Sequence, residues 1–356
     1  MKIINPDIEY INKDNLTPCQ LLERVGRVCY KSEDKITDDS AEKFVRGLQK
    51  SGHLAILEHH WVHFTVPVSD RFLEELKDLV TSYMQLGSYT ELTKFIEVSK
   101  TFAYYYISAP LRVFLELINT LHSKGFSFFS ILHRYSVLNE VFTKLYKAYP
   151  YLDWTYKPNI YLPTTNNVQV FTSEDSFISN LSETLNSLTS DFRNAEIMKH
   201  RTHTFRIVCD RGVSHELVRH RVCSFAQEST RYCNYSKEKF GNEITVIKPY
   251  FFNRLPTTDD GVKYDDSTYT AWLLACEACE RAYFRLLNKG ATPQEARTVL
   301  PNSLKTEIVV TANETEWQHI VNLRVKGTTG KPHPQMVEVM TPAYERLKGV
   351  SNNRIK

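Results

Sequence analysis

Hydrophobic and polar residues follow patterns that predict the first elements of the chain. The opening KIINPDIEYI is strand-like, and Thr17 with Pro18 forms a suitable cap and first turn for the helix CQLLERVGRVCY. A second helix is predicted from Asp39 to Lys50, with Gly52 ending it. The segment HLAILEHHWVHFTV then passes into a strand, and the alternation along that strand predicts one buried face.

The middle of the chain has a different character. Helical patterns rich in aromatic residues run through DRFLEELKDLVTSYMQL, KTFAYYYISAPLRVFLELINTL and FISNLSETLNSLTSDF. The stretch 69–200 is long enough to form a mostly helical subdomain of its own. We therefore predict an α+β fold, in which residues 1–68 and 201–345 form a core of a β-sheet flanked by helices. The 69–200 segment interrupts this core, and 346–356 is a C-terminal tail.

Strand and helix patterns alternate again after residue 200. HTFRIVCDRG is predicted as a strand and SHELVRHR as a helix, and ITVIKPYFF is a further strand. A long helix ends at Gly290, and the helix PQEARTVL ends at Pro301. SLKTEIVVTAN is a strand by its β-branched content, and the helix ETEWQHIVNLRV carries His319 and Arg324. A last helix begins near Pro334.

Composition narrows the class of protein. The chain has 356 residues, and 44 basic against 41 acidic residues give a net charge of +3, which is too balanced for a dedicated nucleic-acid binder. Its seven cysteines form no regular framework and no secretory leader precedes Ile3, so we expect a cytoplasmic location. The CxxC of Cys276 and Cys279 lies in an amphipathic helical pattern and is interpreted as packing. No apolar run approaches the roughly 20 residues of a membrane span.

The segment RHRVCSFAQESTR has the composition of an anion site. It places guanidinium, imidazole and hydroxyl groups close together, namely Arg219, His220, Arg221, Ser224, Ser229 and Arg231. Guanidinium groups bind phosphate oxygens in pairs of hydrogen bonds, so the predicted ligand is a nucleotide or a phosphorylated cofactor. The alternative is a solvated basic helix end, because charge runs are usually surface features.

The order of these residues resembles a known signature. SHELVRHRVCSFAQESTRYCNYS is similar to the motif of the flavin-dependent thymidylate synthases, the ThyX family, written R-H-R, seven residues, then S. Arg219, His220, Arg221 and Ser229 match it without a gap. The resemblance implies a ThyX-type core and reductive methylation of dUMP to dTMP, with 5,10-methylenetetrahydrofolate as carbon donor, NADPH as reductant and bound FAD. It also implies a homotetramer whose active sites lie where subunits meet.

The resemblance assigns residues to the substrate. Arg324 is implied as the group that activates dUMP, because fixed positive charge beside the pyrimidine stabilises the anion that forms on it. Arg231 and Arg297 are implied to hold the monophosphate. The full set expected to contact dUMP is Glu216, Arg219, Gln227, Glu228, Ser229, Thr230, Arg231, Arg297 and Arg324.

A second set is implied for the flavin. It comprises His53, Glu58, Arg219, His220, Arg221, Gln227, Asn313, His319, Leu323 and His333. Three positions depart from the family pattern, where relatives often carry threonine at Ala55, serine at Cys29 and asparagine at His319. No Rossmann or Walker glycine motif is present, so a dinucleotide must be bound by another architecture.

Other chemistries compete with this interpretation. Ser229 as a nucleophile lacks an adjacent general base in the sequence, and a binding role is expected for it. Cys223 is the rival nucleophile, but a free cysteine is more often a small buried hydrophobic residue. No metal site is predicted, because EHH at 58–60 is not HExxH and strand alternation sends His60 and His63 to opposite faces.

Two rival functions stay open on the sequence. One is a single-strand or RNA binder that uses the RHR segment with nearby aromatic residues. The other is an old synthase scaffold converted into a regulator. Purified protein that is yellow and bleaches with NADPH would favour the enzyme over the nucleic-acid binder, and dTMP formation by the purified chain would exclude the regulator.

Overall fold

A computed structural model of the protein describes residues 1–85, 92–123, 135–154, 167–253 and 266–356. The described strands are β1 (Lys2–Ile4), β2 (Asp7–Tyr10), β3 (Trp61–Pro67), β4 (Glu97–Lys100), β5 (Tyr104–Pro110), β6 (Gln169–Phe171), β7 (Thr202–Asp210), β8 (Ser224–Gln227), β9 (Thr245–Ile247) and β10 (Lys305–Asn313). The mixture of strands and helices confirms the α+β class.

The described α-helices are distributed along the whole chain. They are α1 (Pro18–Tyr30), α2 (Ser40–Lys50), α3 (Asp70–Gln85), α4 (Leu111–Ser123), α5 (Ser136–Ala148), α6 (Glu174–Thr184), α7 (Ser190–His200), α8 (Arg211–Leu217), α9 (Asp266–Asn288), α10 (Pro293–Ala296), α11 (Glu314–Arg324) and α12 (Pro334–Val350). Short 3₁₀ turns include Leu54–His59 and Arg297–Val299. None of these helices is long and apolar enough to cross a bilayer.

Two four-stranded antiparallel sheets organise the molecule. The first has the order β2-β7-β10-β8, and the second has the order β4-β5-β3-β6. β1 and β9 pair separately in a parallel ladder. The first sheet is covered on both faces, because α8, α11 and α12 pack on one face and α1 on the other. Trp317, fully buried, packs edge-on against Phe205 of β7 at a ring distance of 5.1 Å.

The local signals at helix starts are confirmed. Thr17 Oγ1 accepts a hydrogen bond from the amide of Gln20, whose side-chain oxygen accepts one from the Thr17 amide, so α1 begins in a capping box with Pro18 in its first turn. α2 begins next to Asp39 and ends at Lys50. The predicted first strand is divided into two, β1 and β2, around Pro6, which cannot donate to a ladder.

The 69–200 segment contains strands as well as helices. KTFAYYYISAPLRV was predicted to be helical, and this was wrong for Tyr104–Pro110, which forms β5 between β3 and β4. The β-branched and aromatic content of this stretch suits a strand once partners are supplied on both sides. Strand β3, assigned to the core from the sequence, therefore has both of its neighbours in the 69–200 segment.

Burial along β3 differs from the prediction of one buried face. All residues from Trp61 to Val66 are buried. Phe64 packs against Phe114 of α4 at 5.3 Å, whereas His63 faces Phe177 of α6 at 5.0 Å, so elements cover both sides of the strand. One hydrophobic core joins α1, α2 and β3 to α4 and α5, so the 69–200 segment shares its core with the flanking residues.

The C-terminal boundary also differs from the sequence expectation. The last helix starts at Pro334 as predicted but continues to Val350, so it includes the start of the expected 346–356 tail. Ile355 is completely buried in the core beside α11 and α12, and Arg354 binds the buried carboxylate of Glu314 at 2.7 Å. The end of the chain is thus packed against the fold.

Candidate active site

Helix α8 is the element around which the predicted site residues are arranged. Asp210 caps it by accepting a hydrogen bond from the amide of Val213 at 2.6 Å. SHELVRHR was predicted to be helical throughout, but the helix ends at Leu217. The amides of Arg219 and His220 bond to carbonyls three residues back, and this tighter winding ends the α-helix. The RHR triplet therefore lies in the turn after the helix.

Arg324 is bound to the end of this helix by three hydrogen bonds. Its Nη1 donates to Oε2 of Glu216 at 2.9 Å, and its Nη2 donates to the Glu216 carbonyl at 3.1 Å. Its Nε donates to Nε2 of His220 at 3.1 Å. A guanidinium carries more N–H donors than these contacts use, so Arg324 retains donors for a ligand.

This contact fixes the tautomer of His220. Arginine can only donate, so Nε2 of the buried His220 ring is the acceptor and the proton of the neutral ring lies on Nδ1. Nδ1 faces Oε1 of Glu316 at 3.4 Å. Glu316 thus holds the imidazole from one side and Arg324 from the other. The carboxylate had no role in the sequence prediction.

His220, Glu316 and His319 form a compact group. Their ligating atoms lie within 4.8 Å of one another, which is a spacing that a metal site would have. The lone pair of His220 Nε2 is used by Arg324, and Nδ1 carries the proton. The ring therefore has no lone pair left for a cation, and we interpret the group as a His220–Glu316 pair with His319 packed edge-on against the His220 ring at 5.6 Å.

Cys223 lies beside the same carboxylate and is not activated. Its Sγ is 3.9 Å from Oε1 of Glu316. Burial, together with the negative charge of Glu316, raises the pKa of this thiol well above its ordinary value. Since only the thiolate is a good nucleophile, Cys223 is a poor candidate for covalent catalysis.

A basic cavity lies along the face of α8 that carries Arg211 and His215. It has a volume of about 340 Å³, and Arg211, His215, Thr230 and Arg297 line it. Arg297 Nη1 donates to Oγ1 of Thr230 at 3.5 Å, and Arg211 Nη1 donates to Oγ1 of Thr306 at 3.3 Å. Among the described residues that line this cavity there is no carboxylate. Such a lining favours an anion.

The capping box of α10 places Arg297. Thr292 accepts from the amide of Glu295, whose carboxylate in turn accepts from the Thr292 amide. The helix is short and passes directly into the 3₁₀ turn that begins at Arg297. Arg297 therefore stands at the end of the short helix, where its side chain lines the cavity.

Arg211 and His215 are the cavity residues that the sequence prediction missed. They stand four residues apart on α8, so both lie on one face of the helix. A signal was available, since an arginine in the first turn after a buried strand, followed by a histidine four residues later, marks a polar helix face. The RHR triplet drew attention to the other end of the same helix.

Residues of the 227–231 loop are mostly engaged with the protein itself. The side-chain Nε2 of Gln227 donates to Oγ of Ser214 at 2.9 Å and to Oγ1 of Thr306 at 3.1 Å. Glu228, which is buried, accepts from Lys305 Nζ at 2.9 Å. These two side chains were predicted to contact ligands. Within the single chain they instead support the loop and the wall behind Arg211.

Ser229 has no general base beside it. Its Oγ accepts a hydrogen bond from the amide of Arg231 at 3.4 Å, and no described histidine or carboxylate lies within hydrogen-bond distance of that oxygen. Its amide donates to the carbonyl of Cys29 at 3.2 Å. Position 29 therefore meets the loop through its backbone, and the replacement of serine by cysteine does not affect this contact. Burial raises the pKa of the Cys29 thiol to about 12.

Two residues assigned to the flavin are occupied by the 69–200 segment. Glu58 accepts from Arg112 Nη1 at 2.6 Å, and burial, despite that arginine, raises the pKa of the Glu58 carboxyl. Asn313 caps α11 and donates from Nδ2 to Glu97 and to the Lys199 carbonyl, both at 3.0 Å. The chain therefore uses these side chains to attach the segment to the first sheet.

Most of the remaining flavin candidates are accessible, although His220 is buried. Arg219, Arg221, His319 and His333 are exposed, Leu323 is half-buried, and Ala55, two residues after His53, is exposed. Arg219, His220 and Arg221 line a shallow cavity of about 320 Å³. His53 is exposed and bonds to the hydroxyl of Tyr30. The assignment of these residues to a flavin stays a prediction.

The four arginines expected to surround the nucleotide do not share one pocket in the single chain. Arg297 lines the basic cavity and Arg324 is bound to Glu216 and His220. Arg219 lines the shallow cavity, and Arg231 lies 5.5 Å above the ring of Tyr232. The convergence of the four arginines on one nucleotide therefore stays a prediction.

Comparison with known proteins identifies the family. Residues 158–349, more than half of the chain, match the family model described as thymidylate synthase complementing protein. The chain belongs to this family. The matched range includes α8, the RHR turn, Arg297 and Arg324. It therefore covers Arg324 with its partners on α8 and in the turn, and it also covers the basic cavity.

Curated relatives of this family agree with the assignment. A flavin-dependent thymidylate synthase of Pyrococcus furiosus is 33% identical over 135 residues, which are 38% of this chain and 50% of that protein. One of Geobacter sulfurreducens is 32% identical over 129 residues, 36% of this chain and 50% of that protein. The chain thus spans about half the length of the curated relatives it matches.

Among solved structures, the UMP/dUMP methylase PolB from Streptomyces cacaoi bound with 5-Br dUMP is similar to this family member. The two are 21% identical, the match covers 51% of this chain and 81% of the other, and the TM-score is 0.37. The family assignment does not rest on this likeness.

Proposed function

We propose that this protein is a flavin-dependent thymidylate synthase that methylates dUMP to dTMP. In the proposal, 5,10-methylenetetrahydrofolate is the carbon donor, NADPH the reductant and FAD the bound cofactor. Membership of the family supports this, as do the names of the relatives, each of which is matched over about half its length.

One observation carries the proposal, which is the pair of sites built on neighbouring residues of α8. His215 lies at the basic cavity with Arg211 and Arg297, and the next residue, Glu216, binds Arg324. A nucleoside monophosphate has an anionic end and a base that accepts hydrogen bonds. The basic cavity suits the phosphate, and the donors left on Arg324 suit a pyrimidine carbonyl.

Arg324 is the residue that we assign to chemistry. Carbon 5 of uracil becomes nucleophilic when negative charge develops on the ring, and an oriented guanidinium stabilises that charge. Glu216 and His220 fix the orientation of Arg324 in advance, so no reorganisation is needed when the charge appears. Such a preorganised donor contributes about 3–4 kcal/mol in a site from which water is excluded.

The residues at the RHR turn fit a flavin dinucleotide in their chemistry. The shallow cavity is lined by guanidinium and imidazole groups of Arg219, His220 and Arg221, and its described lining contains no carboxylate that would repel a pyrophosphate. When bound, FAD supplies the hydride that completes the methyl group. We assign Arg219, Arg221, His319 and His333 to its binding, and we assign Glu58 and Asn313 to the support of the site.

The proposal includes assembly as a homotetramer. In the proposed tetramer, residues from neighbouring copies would complete each site. We also propose a cytoplasmic location. All seven cysteines are free, as is usual in a reducing compartment.

Two measurements test the function. The purified protein is expected to carry a yellow chromophore that bleaches with NADPH under anaerobic conditions, and to form dTMP from dUMP when methylenetetrahydrofolate is added. Arg281→Lys, an exposed change on α9, is the control and is expected to behave as the parent protein. A colourless protein that forms no dTMP with added FAD, and that binds polynucleotides with steep salt dependence, would contradict the proposal.

A further inference from the structure

A row of polar side chains links β3 to the 69–200 segment and contains none of the residues assigned to dUMP or FAD. We call it the polar row, and its members in order are Glu174 of α6, His63 of β3, Ser108 of β5, His200 of α7, Ser99 of β4 and Glu196 of α7. Both imidazole rings and both hydroxyl residues are buried. Buried polar groups are nearly always paired, so the protons along this row can be counted.

Four contacts in the polar row have hydrogen-bond geometry. Nδ1 of His63 is 2.7 Å from Oγ of Ser108, and the same oxygen is 2.9 Å from Nδ1 of His200. Nε2 of His200 is 2.8 Å from Oγ of Ser99. The Ser99 hydroxyl donates to the carboxylate of Glu196. The row is therefore continuous from His63 to Glu196.

Both ends of the polar row are carboxylates that are paired with cations. Glu196 accepts from Lys199 Nζ at 2.6 Å, and Glu174 accepts from Lys13 Nζ at 3.2 Å. Although burial opposes it, neighbouring positive charge such as that of Lys13 brings the pKa of Glu174 well below its ordinary value. Each end of the row is thus a hydrogen-bond acceptor.

The polar row has one contact more than neutral side chains can supply with protons. Its five contacts need one proton each, whereas two neutral imidazoles and two hydroxyls supply four. The hydroxyl next to Glu196 must donate to that carboxylate, and each earlier member then donates toward the same end. The single proton of a neutral His63 therefore lies on Nδ1, and its Nε2 lone pair faces Oε2 of Glu174. This is the longest contact of the row, at 3.6 Å.

We propose that His63 is a proton-binding site that acts as a pH-sensitive latch between α6 and β3. A proton taken from solvent onto Nε2 makes the ring an imidazolium, which donates to Glu174 and completes the fifth contact. Release of that proton as the pH rises leaves two acceptors facing each other and loosens the first turn of α6. Because the contact forms only in the folded chain, its stabilisation is present at low pH and is lost as the pH rises.

The surroundings of His63 leave it as the member of the row that takes up the proton. The titratable and charged groups that interact with His63 or with Glu174 come from several elements and are Tyr10, Lys13, His60, His200, Arg201 and His203. Burial, with the positive charge of His63 next, lowers the pKa of His60 and of His200 from 6.5 to about 3. Both rings therefore stay neutral in the range in which an ordinary histidine titrates.

Hydrogen exchange of the full chain, followed by mass spectrometry, measures the latch. Protection factors, corrected for the intrinsic effect of pH on exchange, are compared at pH 6 and pH 8 for peptides from α6 and α9. The factor for α6 is expected to fall about tenfold as the pH rises, the effect of losing one charge-assisted hydrogen bond. α9 contributes no residue to the polar row and is expected to keep its protection.

Two variants make the test specific to the proton count. Glu174→Gln supplies an amide that can donate to a neutral His63. Ser108→Ala removes the acceptor at Nδ1, so a neutral His63 can place its proton on Nε2 and donate to Glu174. Both variants are expected to lose the pH response of α6. Glu183→Gln, an exposed change on the same helix, is the matched control and is expected to keep the response.

Equal protection of α6 at the two pH values in the parent protein would overturn the proposal. A Ser108→Ala protein that responds to pH as the parent does would overturn it as well. Ser108→Ala removes one hydroxyl and no charge, so it decides the matter if Glu174→Gln does not fold. The readout involves neither turnover nor FAD, and the outcome is therefore independent of the proposed catalytic function.

Discussion

Nε of Arg324 donates a hydrogen bond to Nε2 of His220 at 3.1 Å, across the interval between α11 and the turn after α8. The contact joins the middle residue of the RHR triplet to an arginine that lies over a hundred positions later in the chain. It determines which nitrogen of His220 carries the proton and which direction the guanidinium faces. The proposed activation of dUMP depends on this orientation.

Arg324→Lys is expected to lower kcat for dTMP formation about 100- to 1,000-fold, because lysine cannot hold the fork geometry at Glu216 and His220. The dissociation constant for dUMP is expected to change less than about tenfold, since the phosphate cavity is intact. Single-turnover kinetics and equilibrium binding of dUMP measure the two effects separately. Arg281→Lys provides the matched control, and a kcat near that of the control for Arg324→Lys would refute the assigned role.

Arg211→Gln is expected to weaken dUMP binding about 10- to 100-fold, because a charge-assisted hydrogen bond to the phosphate is lost. Arg297→Gln is expected to act in the same direction. Binding of deoxyuridine, which lacks the phosphate, is expected to be unchanged in both variants. Calorimetric titration compares the two ligands, with Arg281→Gln as control, and equal losses for dUMP and deoxyuridine would contradict a phosphate site.

Ser229→Ala is expected to retain measurable turnover, because Oγ of Ser229 has no base beside it and accepts only from the Arg231 amide. A several-fold rise in KM for dUMP is consistent with loss of a ligand contact. Steady-state assays with the variant and with Ser236→Ala, an exposed change in the same region, measure this. Complete loss of turnover with intact flavin and dUMP binding would instead support a nucleophile.

The fold is expected to lose stability already at pH values well above the pKa of its carboxylates. Burial lowers the pKa of His59 and of His200 from 6.5 to about 3, and neighbouring positive charge at His63 and Lys199 adds to this at His200. Between these values the unfolded chain binds protons that the folded chain does not. The stabilising effect is therefore complete above pH 6.5 and is lost as the pH falls toward 3, at up to about 1.4 kcal/mol per pH unit for each histidine.

Urea unfolding between pH 7.5 and 5 measures this slope. His200→Gln is expected to reduce the slope, because one group that titrates only in the unfolded state has been removed. Exposed His333→Gln is expected to leave it as in the parent. A flat stability profile over this range for the parent protein would show that the two imidazoles are protonated in the folded state.

Deletion of residues 70–199 is expected to prevent folding, because both strands that pair with β3 lie in the deleted range. The point variant Phe114→Ala is expected to reduce the free energy of unfolding by about 3–5 kcal/mol in a single transition, since its ring packs on Phe64 in the shared core. Phe102→Ala is the matched control. Phe102 is fully exposed, so a change within about 0.5 kcal/mol is expected.

Thermal or urea unfolding with two probes of structure measures these changes. A soluble, folded product of the deletion would show instead that the 69–200 segment is an independent unit. Two separate transitions in the full chain would show the same.

Local sequence signals determined much of the secondary structure. Capping residues fix the start of α1, and β-branched residues mark β10, because these effects act within a few residues. Pro334 marks the start of the last helix for the same reason. The RHR signature led to the family because its chemistry is contiguous along the chain. The balance of 44 basic against 41 acidic residues led to the prediction that the protein is not a dedicated nucleic-acid binder.

Only the tertiary structure decided what lies far apart in sequence. The strand at Tyr104–Pro110 exists because β3 and β4 supply its hydrogen bonds, and no local pattern records those partners. The contacts of Glu316 with His220 and of Arg112 with Glu58 likewise join remote segments, and Arg211 and Arg297 come from remote segments to line one cavity. Each depends on how helices and sheets pack. A sequence pattern specifies which face of an element is polar, whereas packing determines which other element that face meets.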